Sequence, residues 1–294
     1  MTPLKSYLQS RVRLVDRALD RMLPKASTKP PTIHAAMRYS IFAGGKRLRP
    51  VLCLAAAEAC GARHQAALPA ACAVECVHTY SLIHDDLPCM DDDDLRRGQP
   101  TSHVKFGDGI AVLAGDALLT LAFEILAGSK PRSPYGAADL VAALAEAAGS
   151  RFLIAGQVAD LEAEGRGASR AGLRYIHEGK TAAMISASLR MGAMSAGAER
   201  TTLDALGRFG RALGLGFQVI DDILDVTQPS ERLGKSAGKD ERAGKATYPS
   251  ILGLKTSRLE ARRLTAEAKK HLLPLGKKAL RLEQIADCLL DREF

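Results

Sequence analysis

Leu4, Leu8, Val12, Val15, Leu19 and Met22 recur at three- and four-residue steps, and this helical spacing of apolar residues continues to the end of the chain. Alanine-rich segments follow near 52–60, 65–84, 109–127, 137–163, 180–197 and 201–226. Alternating runs of β-branched residues are missing, so a sheet of any size is not expected. Breaks fall at Pro24–Pro31, Gly44–Gly45, Gly98–Pro100, Ser129–Tyr135, Gly165–Gly172, Pro229–Gly244 and Pro274–Gly276. None has the composition of an interdomain linker. The pattern predicts an all-α protein: one domain over residues 1–294, a bundle of roughly ten helices around a central cavity. The most membrane-like stretch, Gly109–Gly128, carries Asp116 and Glu124 and is expected to be a buried core helix rather than a stable membrane insertion. Charges recur through the N-terminal segment, where a secretory signal would need an apolar run.

Six cysteines, at 53, 60, 72, 76, 89 and 288, form no CxxC pair and no zinc spacing, which predicts a reducing cytoplasm. The net charge of +8 points to an anionic partner. Nucleic-acid surfaces add stacking aromatics, whereas this chain has 4% aromatics and no tryptophan, so small anionic substrates are expected and nucleic acid is not. Nine Lys or Arg between Lys255 and Arg281, against Glu260 and Glu267, read as a solvated helical face.

The chemistry is concentrated in two acidic clusters. In the first, His84-Asp85-Asp86-Leu87-Pro88-Cys89-Met90-Asp91-Asp92-Asp93-Asp94, six carboxylates within ten residues repel one another unless cations neutralise them. Hard oxygen donors with no nearby Cys or His ligand set favour Mg2+ over zinc, and the loop lacks the Gly and terminal Glu of a calcium hand. Pro88 should kink or end the helix, which leaves both Asp91 and Asp92 open as partners of Asp85. In the second cluster, Asp221-Asp222-Ile223-Leu224-Asp225, Asp221 and Asp225 lie one turn apart on one helical face. Gly210 and Gly214 precede it and imply close helix approach. Cations suited to phosphate oxygens occur in Gly44-Gly45-Lys46-Arg47-Leu48-Arg49-Pro50, and Lys235, Lys239 and Lys245 among glycines suggest a lid. Gly179-Lys180-Thr181 and Gly234-Lys235-Ser236 are not phosphate loops, because the required upstream glycine is Arg174 in one and Pro229 in the other.

These segments, together with GQVAD at Gly156–Asp160, GKT at Gly179–Thr181 and FQVIDDILD at Phe217–Asp225, resemble in order the motifs of the trans-isoprenyl diphosphate synthases. The resemblance covers nearly the whole chain, and within the family it is nearest to bacterial farnesyl diphosphate synthases, with geranylgeranyl diphosphate synthases second. It implies a type I isoprenoid synthase fold, a homodimer and an Mg2+-dependent condensation of an allylic diphosphate with isopentenyl diphosphate. On that basis Asp85, Asp86, Asp91 and Asp160 hold metal on one side, and Asp221 and Asp222 on the other. Arg96, Lys180, Lys235 and Lys245 take the allylic diphosphate; Gly45, Lys46, Arg49, His78 and Arg97 take isopentenyl diphosphate. Thr181, Gln218 and the Lys180 carbonyl stabilise the allylic cation, and the released pyrophosphate removes the proton. An aromatic residue five before Asp85 is typical of short-chain members, so Tyr80, with Ser81 beside it, implies a floor that stops growth at farnesyl diphosphate. The ending Arg292-Glu293-Phe294 lacks the basic tail common in this subgroup. Two other readings compete. A terpene cyclase would carry an Asn/Ser/Glu motif in place of the second Asp cluster. A non-catalytic helical protein would use its basic C-terminal region on anionic membrane or nucleic acid.

Overall fold

The computed structural model describes residues 3–227 and 246–290, and these form an array of helices. In chain order they are α1 (Pro3–Met22), α2 (Pro31–Ile41), α3 (Leu48–Ala59), α4 (Leu68–Asp85), α5 (Ser102–Phe106), α6 (Asp108–Ala127) and α7 (Ala137–Ala148). There follow α8 (Leu153–Ala163), α9 (Arg170–His177), α10 (Ala183–Ser195), α11 (Arg200–Thr227), α12 (Tyr248–Leu272) and α13 (Leu280–Leu290). Among the described residues the only sheet is a two-stranded ribbon that pairs Leu95 with Pro100 and Arg96 with Gln99.

The α1 stripe behaves as its spacing requires: Val15, Ala18 and Leu19 are buried, while Leu4, Leu8 and Val12 pack at the edge of the core. Helix α4 is buried on nearly every side, and its run Ala70-Ala71-Cys72-Ala73 lets neighbours come close. It packs against α3 and α6, while α10 lies between α3 and α11, and α12 runs antiparallel to α11. Gly207, Gly210 and Gly214 form the α11 face that meets α10; a Cβ at Gly214 would come within 2.5 Å of the Ala182 Cα, and one at Gly210 within 2.6 Å of the Ser186 Cα. The close approach expected from Gly210 and Gly214 is therefore present.

One alanine-rich segment is divided, and one expectation, the fully buried helix at Gly109–Gly128, needs correction. The segment 137–163 is two helices, because the chain breaks between Ala148 and Leu153, where Gly149 leaves the helical region with ψ −173°. The α6 segment is buried on one face only: Ala111, Ala114, Leu118 and Ala122 face the core, whereas Val112 and Leu113 are exposed. Two helical stretches, His64–Asp85 and Asp108–Ala127, are long and apolar enough to span a bilayer, and the first is mostly buried within the protein.

Candidate active site

The C-terminal end of α4, the loop before α3, the α8–α10 region and α11 surround a cavity of about 970 Å³. Asp85 closes α4, and the chain then turns back on it instead of continuing past Pro88. The Asp91 amide donates to the Asp85 carbonyl at 2.8 Å, and the Asp93 amide donates to Asp86 at 3.2 Å. This turn sets Asp91 beside Asp85, while Asp92 adopts φ 49° and faces solvent. Of the two, the backbone therefore brings Asp91 beside Asp85. Burial pushes the Asp85 carboxyl up to about 6; Lys180 and Arg96 oppose the shift, and Asp91 and Asp86 add to it. Burial also raises Asp86, against the hydrogen bonds of Arg96, whose Nε lies 2.8 Å from both carboxylate oxygens.

On the facing side, Gly156 of α8 and Gly179 lie back to back. A Cβ at Gly156 would strike the Lys180 amide, and one at Gly179 would lie 2.6 Å from the Phe152 carbonyl and 3.0 Å from the Gly156 Cα. Residues Glu178–Ala182 form a π-helical turn, an uncommon geometry often found at functional sites. Both Lys180 and Thr181 consequently line the cavity. The Lys180 ammonium sits 3.0 Å from Asp160 and 3.8 Å from Asp85, bridging carboxylates of two helices. Thr181 Oγ1 donates to Gln218 Oε1 at 3.0 Å, and Gln218 and Asp221 line the wall from α11.

The segment before α3 supplies a cluster of cations. Arg47 is buried in a left-handed conformation (φ 48°), donates to Asp16 and Glu75 at 2.9 Å each, and also binds the carbonyls of Ile41 and Gly44. It fixes the turn and leaves Lys46 and Arg49 to the cavity. Gly45, at φ 116°, lies under the Arg97 guanidinium, which donates to the Gly44 carbonyl; a side chain there would be strained and would have to displace that guanidinium. Arg49 Nε is buried without a hydrogen-bond partner among the described residues, as are both polar atoms of the Gln157 amide, another wall residue. Burial, with Arg49, Arg97, Arg96 and Arg47 nearby, holds the His78 imidazole well below its usual range, so it is neutral at physiological pH.

Most sequence-predicted residues thus meet in one cavity: Gly45, Lys46, Arg49, His78, Arg96 and Arg97 at one end, Asp85, Lys180, Thr181, Gln218 and Asp221 across it, and Tyr80 and Ser81 on the α4 wall. Asp222 is not in that wall; its carboxylate accepts the Tyr248 amide at 2.9 Å and caps α12. Asp225, one turn after Asp221, is buried. Lys235, Lys239, Lys245 and Arg292-Glu293-Phe294 lie outside the described residues. Sequence reasoning missed Glu75, Gln157 and the Arg47 lock. The GQ pair at Gly156–Gln157 was the available signal for the second of these.

No three His, Cys, Asp or Glu side chains among the described residues gather closely enough to hold a metal ion alone. Mg2+ commonly uses one or two carboxylates and completes its shell with water and substrate phosphate. The oxygen-only donors Asp85, Asp91, Asp160 and Asp221 fit that ion, and Lys180 already occupies the place of a cation between two of them.

Next to this wall, the buried His177 ring packs on Tyr248 at 5.5 Å between centroids. Burial pushes its imidazole down to about 4, with Lys180 adding and Asp160 opposing; Asp222, 3.9 Å away, is engaged by the Tyr248 amide. The folded value lies below the unfolded one, so the stability this neutral ring contributes is present above about 6.5 and is lost as pH falls towards about 4. The loss is of order 3 kcal/mol at most. Tm should fall over that window, and His177→Gln should make the fall shallower; superimposable Tm–pH curves would contradict this.

An all-helical cage in which carboxylates from several helices face a cationic end is the type I isoprenoid synthase arrangement. The polyprenyl synthetase pattern matches residues 30–278, and the chain belongs to that family, the trans-prenyl diphosphate synthases. It is similar to the chloroplastic large subunit 1 of a heterodimeric geranylgeranyl pyrophosphate synthase of Arabidopsis thaliana, at 52% identity over 91% of this chain and 73% of that one. Among solved structures it is similar to an FPP/GFPP synthase of Zymomonas mobilis (38% identity, 98% of each chain, TM-score 0.87). A geranyltransferase of Helicobacter pylori complexed with magnesium and isoprenyl diphosphate gives a TM-score of 0.84 at 34% identity, over 99% of this chain and 97% of that one.

Proposed function

We propose that this chain, as one domain, condenses dimethylallyl or geranyl diphosphate with isopentenyl diphosphate and that its main product is farnesyl diphosphate. The observation that carries the product is Tyr80. It lies on the cavity wall, 6% exposed, five residues before Asp85 and so about 7.5 Å below it along α4. Its ring stands edge-on to His84 at 5.7 Å, which fixes its direction. A chain anchored at Asp85 and growing down α4 meets that ring. The geranylgeranyl name of the Arabidopsis relative supports the competing product.

In this reading Lys46, Arg49 and Arg97 neutralise the isopentenyl diphosphate, and the neutral His78 donates a hydrogen bond without adding charge. Lys180 and Arg96 turn from their carboxylate partners to the allylic diphosphate. Bound Mg2+, held by Asp85, Asp91, Asp160 and Asp221, supplies Lewis-acid stabilisation of the leaving group. Thr181 and Gln218, already hydrogen-bonded to each other, present oxygen dipoles to the carbon that becomes cationic. Asp222 we now assign to capping α12 rather than to metal. The exposed Val112 and Leu113 on α6 support a homodimer interface, and six free thiols support a reducing cytoplasm.

A product chromatogram tests this reading. Wild type supplied with dimethylallyl and isopentenyl diphosphates should stop mainly at the fifteen-carbon product. Tyr80→Ala should shift the main product by at least one five-carbon unit with rate retained. A wild type that makes mainly the twenty-carbon product, or a variant that still stops at fifteen, would place the floor elsewhere.

A further inference from the structure

The basic C-terminal stretch is not used by the site. It ends in a turn, Leu273–Ala279, at the foot of the bundle between α12 and α13. This turn packs on α3, and Lys278 lies close enough to Cys60, just past the end of α3, for its charge to act on the thiol. Arg63 follows Cys60, and α4 begins at Leu68, so the turn lies at the end of α4 remote from Asp85, roughly 26 Å along the helix. Lys270, Lys277 and Lys278 are exposed and make no ion pair among the described residues. The nearby acids are engaged elsewhere: Glu267 with Arg263, and Asp287 with Lys269; among the described residues of this segment Glu283 is the remaining carboxylate. Among these lysines Leu273 is 71% exposed and Leu280 53%, values that no inward-facing leucine has.

We propose that this turn is a docking surface for anionic lipid bilayers, in which Leu273 and Leu280 enter the acyl boundary while Lys270, Lys277 and Lys278 sit among the headgroups. Charge complementarity selects the partner, and exposed leucines in place of aromatics favour a bilayer over nucleic acid. Docking by the foot leaves the Asp85 end of the cavity in water, open to soluble diphosphates. The association is peripheral, since only two leucines enter, one at the start of the turn and one just beyond its end.

Sedimentation of the full chain with vesicles tests it. The protein should pellet with phosphatidylcholine–phosphatidylglycerol vesicles at low salt and not with phosphatidylcholine alone. Neutralising Lys270→Gln, Lys277→Gln and Lys278→Gln together should weaken partitioning roughly 100-fold. The pair Leu273→Ser and Leu280→Ser leaves charge unchanged and should weaken it roughly tenfold. Both variants should keep the helical circular dichroism, and Leu273→Ala alone, a milder change, should weaken binding measurably. The proposal is overturned by absent binding to the anionic vesicles, by a lysine variant that binds as wild type does, or by leucine variants that do. It is also overturned if a single-stranded oligonucleotide is bound in preference to the vesicles.

Discussion

Asp85→Ala should lower turnover by about three orders of magnitude or more while the helical circular dichroism stays intact. The carboxylate closes α4 with Asp91 folded against it, and its charge faces Lys180 at 3.8 Å. Stabilisation of a departing diphosphate in such a site is worth several kcal/mol, and each 1.4 kcal/mol is about tenfold in rate. Asp221→Ala, on the opposite wall, should act similarly. Chelation should abolish wild-type turnover and added magnesium restore it. Full activity in excess chelator would contradict the assignment of these aspartates.

Gly156→Val should damage stability and activity together. The added Cβ strikes the Lys180 amide, and it also lies 3.0 Å from the Gly179 carbonyl carbon and from the Ile176 carbonyl oxygen, all backbone atoms that cannot rotate away. Driving α8 from the π-helical turn costs about 3 kcal/mol or more. For a chain of this size that lowers Tm by roughly 5–10 °C. The same displacement carries Asp160, one turn further along α8, away from Lys180, so the surviving folded fraction should turn over at least tenfold more slowly. Gly109→Ala on α6 meets nothing within 4 Å and is the matched control, expected to be neutral or mildly stabilising. Equal Tm for the two variants would refute the packing argument.

Much of this was legible because it rests on spacing. The α1 stripe and the glycines of α11 follow from which residues recur at helical intervals, and the cations at the start of α3 from their place beside a glycine turn. Asp85, Lys180 and Asp221 stand on different elements and meet at one cavity; their acidic clusters marked the aspartates, and the family resemblance marked Lys180. What stayed hidden depends on partners distant in sequence. The Arg47 lock joins Asp16 and Glu75, 31 and 28 residues away, and nothing local distinguishes it from its neighbours Lys46 and Arg49. Asp222 reads like Asp221 beside it, yet a rotation of one position turns it from the cavity to the start of α12. The break at Gly149 was obscured because alanines on both sides share the same helical preference.

Lys180 between Asp85 and Asp160, and Arg96 across Asp86, mean that the unliganded site already neutralises itself. A diphosphate arriving alone must draw these cations from their carboxylates and then face the bared acids. A divalent ion arriving alone must compete with Lys180 for its ligands. If both arrived, the displaced cations would take the phosphate oxygens and the bared carboxylates would take the ion, so every charge would exchange one partner for another. Affinity for each should therefore rise in the presence of the other by one common factor, a reciprocal coupling stored in the ion pairs of two cations. Titrating the apparent dissociation constant of an unreactive allylic diphosphate analogue against magnesium, and of magnesium against the analogue, should return the same ratio.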